Sequence, residues 1–131
     1  MSGIYIHIPF CKKACHYCDF HFSTSFKYKD KMIKSLNNEI VVRKDEFKNE
    51  IIESIYFGGG TPSVLSINEI NSLIYSVCNN YDVLDSVEVT LEANPDDLTE
   101  EKIIELSNSR VNRPSIGVQS FFQQDLVLMN R

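Results

Sequence analysis

Three cysteines, Cys11, Cys15 and Cys18, follow one another at C-x3-C-x2-C spacing near the start of the chain. They come straight after Ile4, Ile6 and Ile8, which alternate with Tyr5 and His7 in a strand pattern that Pro9 closes. The thiols therefore sit on a loop that leaves a strand, and one short loop with three soft ligands can hold iron or zinc. Three is one fewer than such a site usually takes. Either a fourth ligand comes from elsewhere, or one metal position stays open for chemistry.

Composition narrows the setting. The net charge of -5 argues against a nucleic-acid partner, which favours a basic face. No apolar run approaches the ~20 residues of a membrane span. Met1 to Ile4 lead directly into the strand pattern, so no signal peptide is expected. The expected location is a reducing, cytoplasmic compartment, where four cysteines serve as metal ligands sooner than disulfides. At 131 residues the chain is long enough for one core. Phe121 to Arg131 reads as a helix without a stop signal, so the chain is expected to be a truncated piece of a longer protein.

The rest of the chain alternates strand and helix signals. Ser23, Thr24, Ser25 and Asp30 are N-cap candidates for a helix carrying Ile33, Leu36, Ile40 and Phe47 on one face. Ile51 to Phe57 reads as a second strand ending in Gly58-Gly59-Gly60-Thr61-Pro62. Ser66 and Glu69 form a capping box ahead of a helix with Ile67, Ile70, Leu73, Ile74, Val77 and Cys78 on its apolar face. Cys78 is thus expected as a core thiol. Val87, Val89 and Leu91 alternate as a third strand, closed by Ala93-Asn94-Pro95. Thr99 caps a third helix, with Leu98 and Ile103 placed for a hydrophobic staple. Ser115 to Gln119 reads as a fourth strand, and Ser120 to Gln123 as a capping box for the last helix. The order βαβαβαβα implies an α/β fold with a parallel sheet and right-handed crossovers, as a barrel or an open sheet.

Two patterns go beyond fold class. Strands covered on both faces read as continuous apolar runs. Three of these four instead carry polar faces, Tyr5/His7, Glu88/Thr90/Glu92 and Ser115/Gly117/Gln119. One sheet face therefore lines a polar cavity or lies uncovered. The unusual motifs also fall at successive strand C-termini, the rim where parallel α/β folds bind ligands.

The motifs leave alternatives. The cysteines suit a structural zinc site completed by His16 or His21, or a 4Fe-4S cluster with one free iron. The two histidines otherwise read as loop residues or donors to cluster sulfur. The glycine run lacks the lysine of a P-loop, so it is a tight turn or a place of close ligand approach. Glu92 is a partner for ribose hydroxyls or a ligand amine, or a solvated rim carboxylate.

Together, Tyr5-Ile-His-Ile-Pro-Phe-Cys11, Tyr17-Cys18-Asp19-Phe20, Phe57-Gly-Gly-Gly-Thr-Pro-Ser63, Glu92-Ala-Asn-Pro95 and Ser115-Ile-Gly-Val-Gln-Ser-Phe121 resemble the radical S-adenosylmethionine (SAM) superfamily. They look most like its oxygen-independent coproporphyrinogen oxidase branch, which holds the HemN oxidases and the HemW haem chaperones. The resemblance runs the length of the chain. It implies that residues 1–131 are the first four βα units of a partial (β/α)6, TIM-like barrel. It implies that Cys11, Cys15 and Cys18 hold three irons of a 4Fe-4S cluster and that SAM chelates the fourth. By position, Tyr5, Gly59 and Glu92 match residues of a first SAM site. Tyr17, Gly60, Thr61, Gln119 and Arg131 match residues around a second SAM in the oxidases. The implied chemistry is one-electron cleavage of SAM to methionine and a 5'-deoxyadenosyl radical, with no catalytic side chain assigned. Implied partners are haem or a porphyrin, a flavodoxin- or ferredoxin-type electron donor and a haem-acceptor protein.

Phe20 separates the two halves of the branch. The oxidases carry a further cysteine at that position, so Phe20 favours the chaperones. Two departures bear on the fourth βα unit. Asn108-Ser109-Arg110 stands where the family ends a helix with glycine, and Pro114 stands at the start of a strand where it removes a donor.

Overall fold

The computed structural model describes residues 2–131. Four strands alternate with four helices: β1 (Ser2–Ile8), α1 (Lys29–Val42), β2 (Ile51–Gly59), α2 (Ile67–Asn80), β3 (Asp82–Ala93), α3 (Glu100–Ser107), β4 (Arg113–Ile116) and α4 (Gln123–Leu128). The sheet order is β1-β2-β3-β4 and every pairing is parallel, so α1, α2 and α3 are crossovers. This is the expected α/β architecture of successive βα units. Among the described residues no helix is long and apolar enough to cross a membrane.

Register divides the sheet into two faces, because side chains alternate along each strand. Ile4, Ile6 and Ile8 pair with Ile55, Phe57 and Gly59. Ile55 and Phe57 pair in turn with Val89 and Leu91. That face is buried against Ile70, Leu73, Ile74 and Val77 of α2 and Ile33 and Ile40 of α1. The opposite face is polar. Tyr5 pairs with Tyr56, Tyr56 with Thr90, Thr90 with Arg113, and Glu92 with Ser115. The strand alternation read from the sequence thus marks one continuous polar face, to which β2 also contributes through Tyr56.

Several local expectations change. No Ser or Asp caps α1: Tyr28 is its N-cap, with no side-chain cap bond, and Asp30 lies in the first turn. Phe47 belongs to a separate short 3-10 turn, Lys44–Phe47, because the chain leaves α1 after Val42. β3 begins five residues earlier than the alternation suggests, since Asp82 and Val83 pair with Ile51 and Ile52. Of the two residues placed for a staple, Leu98 packs on the core and Ile103 is 53% exposed. Cys78 is only half-buried beside the core, and the Arg110 guanidinium reaches its sulfur at 3.0 Å.

The fourth βα unit departs most. β4 starts at Arg113 and stops at Ile116, where the sequence suggests a strand from Ser115 to Gln119. Two tight turns follow: the Val118 amide donates to Ile116 and the Ser120 amide to Val118. Gln119 takes φ 66°, a conformation no strand residue adopts. Ser120 makes no capping box. Its hydroxyl accepts from the Phe122 amide and donates to Asp125. Pro114 is accommodated because the Gly117 amide donates to Ala93, which fixes the alternation of amides toward β3. Position 114 then faces the outer edge, where a missing N–H costs no ladder bond. Asn108 ends α3 at φ -94°, so glycine is not required there.

The capping box of α2 forms as expected, with the Glu69 amide donating to the Ser66 hydroxyl and the Ser66 amide to the Glu69 carboxylate. Lys29 binds the same carboxylate at 2.5 Å. Burial pushes the Glu69 carboxyl up, but the bonds from Lys29 and Ser66 outweigh it and hold the group below the usual glutamate range. A depressed folded pKa contributes stability above the unfolded value of about 4.3 and loses it as pH falls through the folded value. Glu69→Gln is therefore expected to flatten the acid limb of a stability–pH curve measured by urea unfolding. An unchanged acid limb counts against this coupling.

Candidate functional site

The strand C-termini open onto one cavity of about 350 Å³, inside the range of small-molecule sites, about 300–1,000 Å³. Its wall gathers Cys11, Cys15, Tyr17 and Cys18 from the loop after β1 and Gly59, Gly60 and Thr61 from the end of β2. Glu92 and Asn94 come from the end of β3, and Gln119 and Arg131 from beyond β4. Of the site residues expected from the sequence, Tyr5 alone lies outside this wall. It stands on the polar sheet face, its hydroxyl 3.1 Å from His7 Nδ1 and its ring stacked on Tyr56.

Two glycines let the strand ends close up. Gly59 has φ 111°, and a Cβ there would meet the His7 ring at 2.7 Å. A Cβ on Gly60 would lie 2.8 Å from the Phe10 carbonyl oxygen and 3.0 Å from Cys11 Sγ. The Gly60 amide donates to Ile8 and the Thr61 amide to Phe10, each at 2.8 Å. The Thr61 hydroxyl then reaches Cys11 Sγ at 3.3 Å. The glycine run is thus a place of close approach to the cysteine loop.

Burial pushes the Cys11 thiol up, while the Thr61 hydroxyl pulls it down. Burial likewise raises the Tyr17 phenol against the opposing charge of Arg131. All four cysteines are free. Cys11, Cys15 and Cys18 face one cavity, although the described residues hold no group of three or more Cys, His, Asp or Glu already drawn to metal-holding distance. The donor set nonetheless fits a soft metal or cluster, with three thiols on one wall and no histidine beside them. His16 is not part of that wall, and its Nδ1 lies 3.0 Å from the Leu128 carbonyl oxygen.

Some residues of the site were not singled out in the sequence. Tyr56, hidden inside an apolar run, donates its hydroxyl to Glu92 at 2.7 Å and so orients that carboxylate. Its phenol is raised by that bond, and further by burial. Asp97 is buried at the floor, where it accepts from Ser63 at 2.6 Å and pairs with Lys12. Ser63 accepts from the Asn94 amide, so β2 and β3 are tied at their ends. Arg131 donates to Asn94 and to the Gly117 carbonyl, each at 2.6 Å, and to Tyr17 at 3.2 Å.

Comparison with known proteins bears on this arrangement. Residues 5–131 match the family model described as the radical SAM superfamily. The chain is 43% identical over 121 residues to the haem chaperone HemW of Lactococcus lactis, covering 92% of this chain and 31% of that protein. It is 34% identical over 125 residues to the oxygen-independent coproporphyrinogen III oxidase of Bradyrhizobium diazoefficiens, covering 92% of this chain and 27% of that one. The solved coproporphyrinogen III oxidase HemN of Escherichia coli, titled a radical SAM enzyme, superposes with a TM-score of 0.90 at 30% identity. That match covers 98% of this chain and 30% of the other. The chain spans about a third of the length of such relatives.

Proposed function

Because the chain belongs to the radical SAM superfamily, we propose that residues 1–131 are the cofactor-binding core of a HemW-like haem chaperone. Cys11, Cys15 and Cys18 would hold a 4Fe-4S cluster, with SAM bound in the same cavity. When bound, the reduced cluster and SAM together supply one-electron cleavage of the sulfonium C–S bond. The observation that supports this reading is the gathering of the three thiols with Gly59, Gly60, Thr61 and Glu92 around one cavity.

The protein's own part is orientation and exclusion of water. Thr61 donates to Cys11 and steadies one thiol. Glu92, held by Tyr56, presents a fixed carboxylate for ribose hydroxyls or the amine of SAM. Tyr5 extends the same polar face, and Arg131 joins the loops after β1, β3 and β4 around Tyr17 and Gln119. No acid–base pair is required, and none is assigned.

Phe20 favours the chaperone over the oxidase. It lines the cavity, 74% exposed, where the oxidases place a further cysteine. The full protein is therefore a cytoplasmic chaperone that binds haem and passes it to an acceptor protein, served by a flavodoxin- or ferredoxin-type donor. The second reading is an oxygen-independent coproporphyrinogen oxidase, favoured by the match to HemN.

Anaerobic reconstitution of the full-length protein tests both. Iron–sulfur absorbance and 5'-deoxyadenosine formation from SAM under reduction are expected. Co-purifying haem without porphyrinogen turnover supports the chaperone, and decarboxylation of coproporphyrinogen overturns it in favour of the oxidase. Bound zinc without a cluster overturns both.

A further inference from the structure

The end of α4 grips the cysteine loop. An α-helix leaves its last carbonyls without intrahelical partners. At this end the Asn130 amide donates to Val127 and the Arg131 amide to Leu126, with Asn130 at φ 55°. That is a Schellman turn, and it uses two of the free carbonyls. The next two, Leu128 and Met129, are both taken by one residue. The His16 amide donates to Met129 at 3.0 Å, and its Nδ1 lies 3.0 Å from the Leu128 oxygen. A carbonyl only accepts, so Nδ1 carries the proton. In return the Asn130 side chain donates to the Ala14 carbonyl at 2.8 Å. The same left-handed turn carries Arg131 into the cavity, where it meets Tyr17.

Residues 14 to 17 are therefore clasped by residues 128 to 131, a sequence separation of 112 or more. Few other tertiary bonds hold this part of the loop. The Cys11 amide donates to Ser23, and the Cys18 amide donates within the loop to Cys15.

We propose that His16 is a positioning residue, and no metal ligand: it caps the end of α4 and so fixes where Cys15 and Cys18 stand relative to Cys11. The inference rests on the assignment of these thiols as cluster ligands, but its geometry does not need the cluster.

The test compares His16→Ala with His16→Asn in the full-length protein. An asparagine amide can place a donor where Nδ1 stands, whereas alanine removes it. The first readout is the alkylation rate of Cys15 and Cys18 by iodoacetamide in metal-free protein, followed by mass spectrometry. Losing a hydrogen bond of this kind loosens the loop, and His16→Ala is expected to speed alkylation about threefold to tenfold. His16→Asn should return it to within about twofold of the parent. The second readout is the electron paramagnetic resonance spectrum of the reconstituted cluster without SAM, which should be unchanged in His16→Asn. Unchanged alkylation in His16→Ala overturns the clasp. An altered spectrum in His16→Asn overturns the positioning role and makes His16 a ligand. Should His16→Ala fail to fold, Asn130→Gly keeps the left-handed turn and removes only the bond to Ala14. It should speed alkylation in the same direction, and its failure to do so overturns the clasp. A parent protein that takes up no cluster defeats the cofactor assignment alone, since the thiol rates are read regardless.

Discussion

Cys15→Ala is expected to abolish the iron–sulfur absorbance of anaerobically reconstituted protein, and Cys78→Ala to leave it intact. The difference follows from where the two half-buried thiols stand. Cys15 lines the cavity with Cys11 and Cys18, and no fourth thiol stands in that wall to replace one that is lost. With one of the three gone, only two thiolates would remain to hold a cluster. Cys78 sits on α2 beside the core, away from the cavity, with Arg110 on its sulfur. Removing its sulfur deletes a small packing contact and nothing from the donor set. Visible absorbance, with iron and sulfide counted per chain, reads the result. Retained iron and sulfide in Cys15→Ala sinks the three-thiol assignment. Loss in both variants points to a fourth ligand from α2, which the position of Cys78 does not support.

How much of this was readable in the sequence depends on range. The polar and apolar sheet faces follow from alternation at Ile4–Ile8 and Val87–Leu91, which is a local property of each strand. The motifs at strand C-termini follow from βα order, because parallel strands share one rim. Boundaries failed where turn chemistry competes with alternation. Ser115 to Gln119 alternates like a strand, yet Gln119 adopts a left-handed conformation and the chain turns away after Ile116. Tyr56 was invisible because a tyrosine within Ile51–Phe57 reads as one more apolar residue; only pairing with β3 brings its hydroxyl to Glu92. The contacts of His16 with Leu128, Asn130 with Ala14 and Arg131 with Tyr17 span most of the chain, and no spacing rule encodes them. The same holds for Asp97, which no sequence pattern singles out and which is buried against Ser63 and Lys12.

Gly60→Ala is expected to destabilise the fold by about 1–3 kcal/mol and to prevent cluster assembly, although it adds one methyl group. The obstacle is the nature of the neighbours. The new Cβ would meet the Phe10 carbonyl oxygen at 2.8 Å and the Ile8 carbonyl oxygen at 3.0 Å. Both are backbone atoms, and the Gly60 and Thr61 amides bond those same two carbonyls. Relieving the clash therefore means separating the ends of β1 and β2 and breaking the bonds that join them. Cys11 sits on the β1 side of that seam, its sulfur 3.0 Å from the same Cβ. Displacing it moves one of the three thiols away from the other two. Gly117→Ala supplies the comparison. There the nearest atoms are Gln119 Nε2 at 3.0 Å and Arg131 Nη2 at 3.4 Å, the far ends of flexible side chains. Only the first is tighter than ordinary contact, and the Gln119 amide can swing aside, so the cost should stay below about 1 kcal/mol, the ordinary range for sites without such a clash. Urea unfolding of the two variants gives the ranking, and reconstitution of Gly60→Ala gives the cluster yield. Equal stabilities, or a full cluster in Gly60→Ala, would show that the approach of β2 to the cysteine loop is looser than these contacts require.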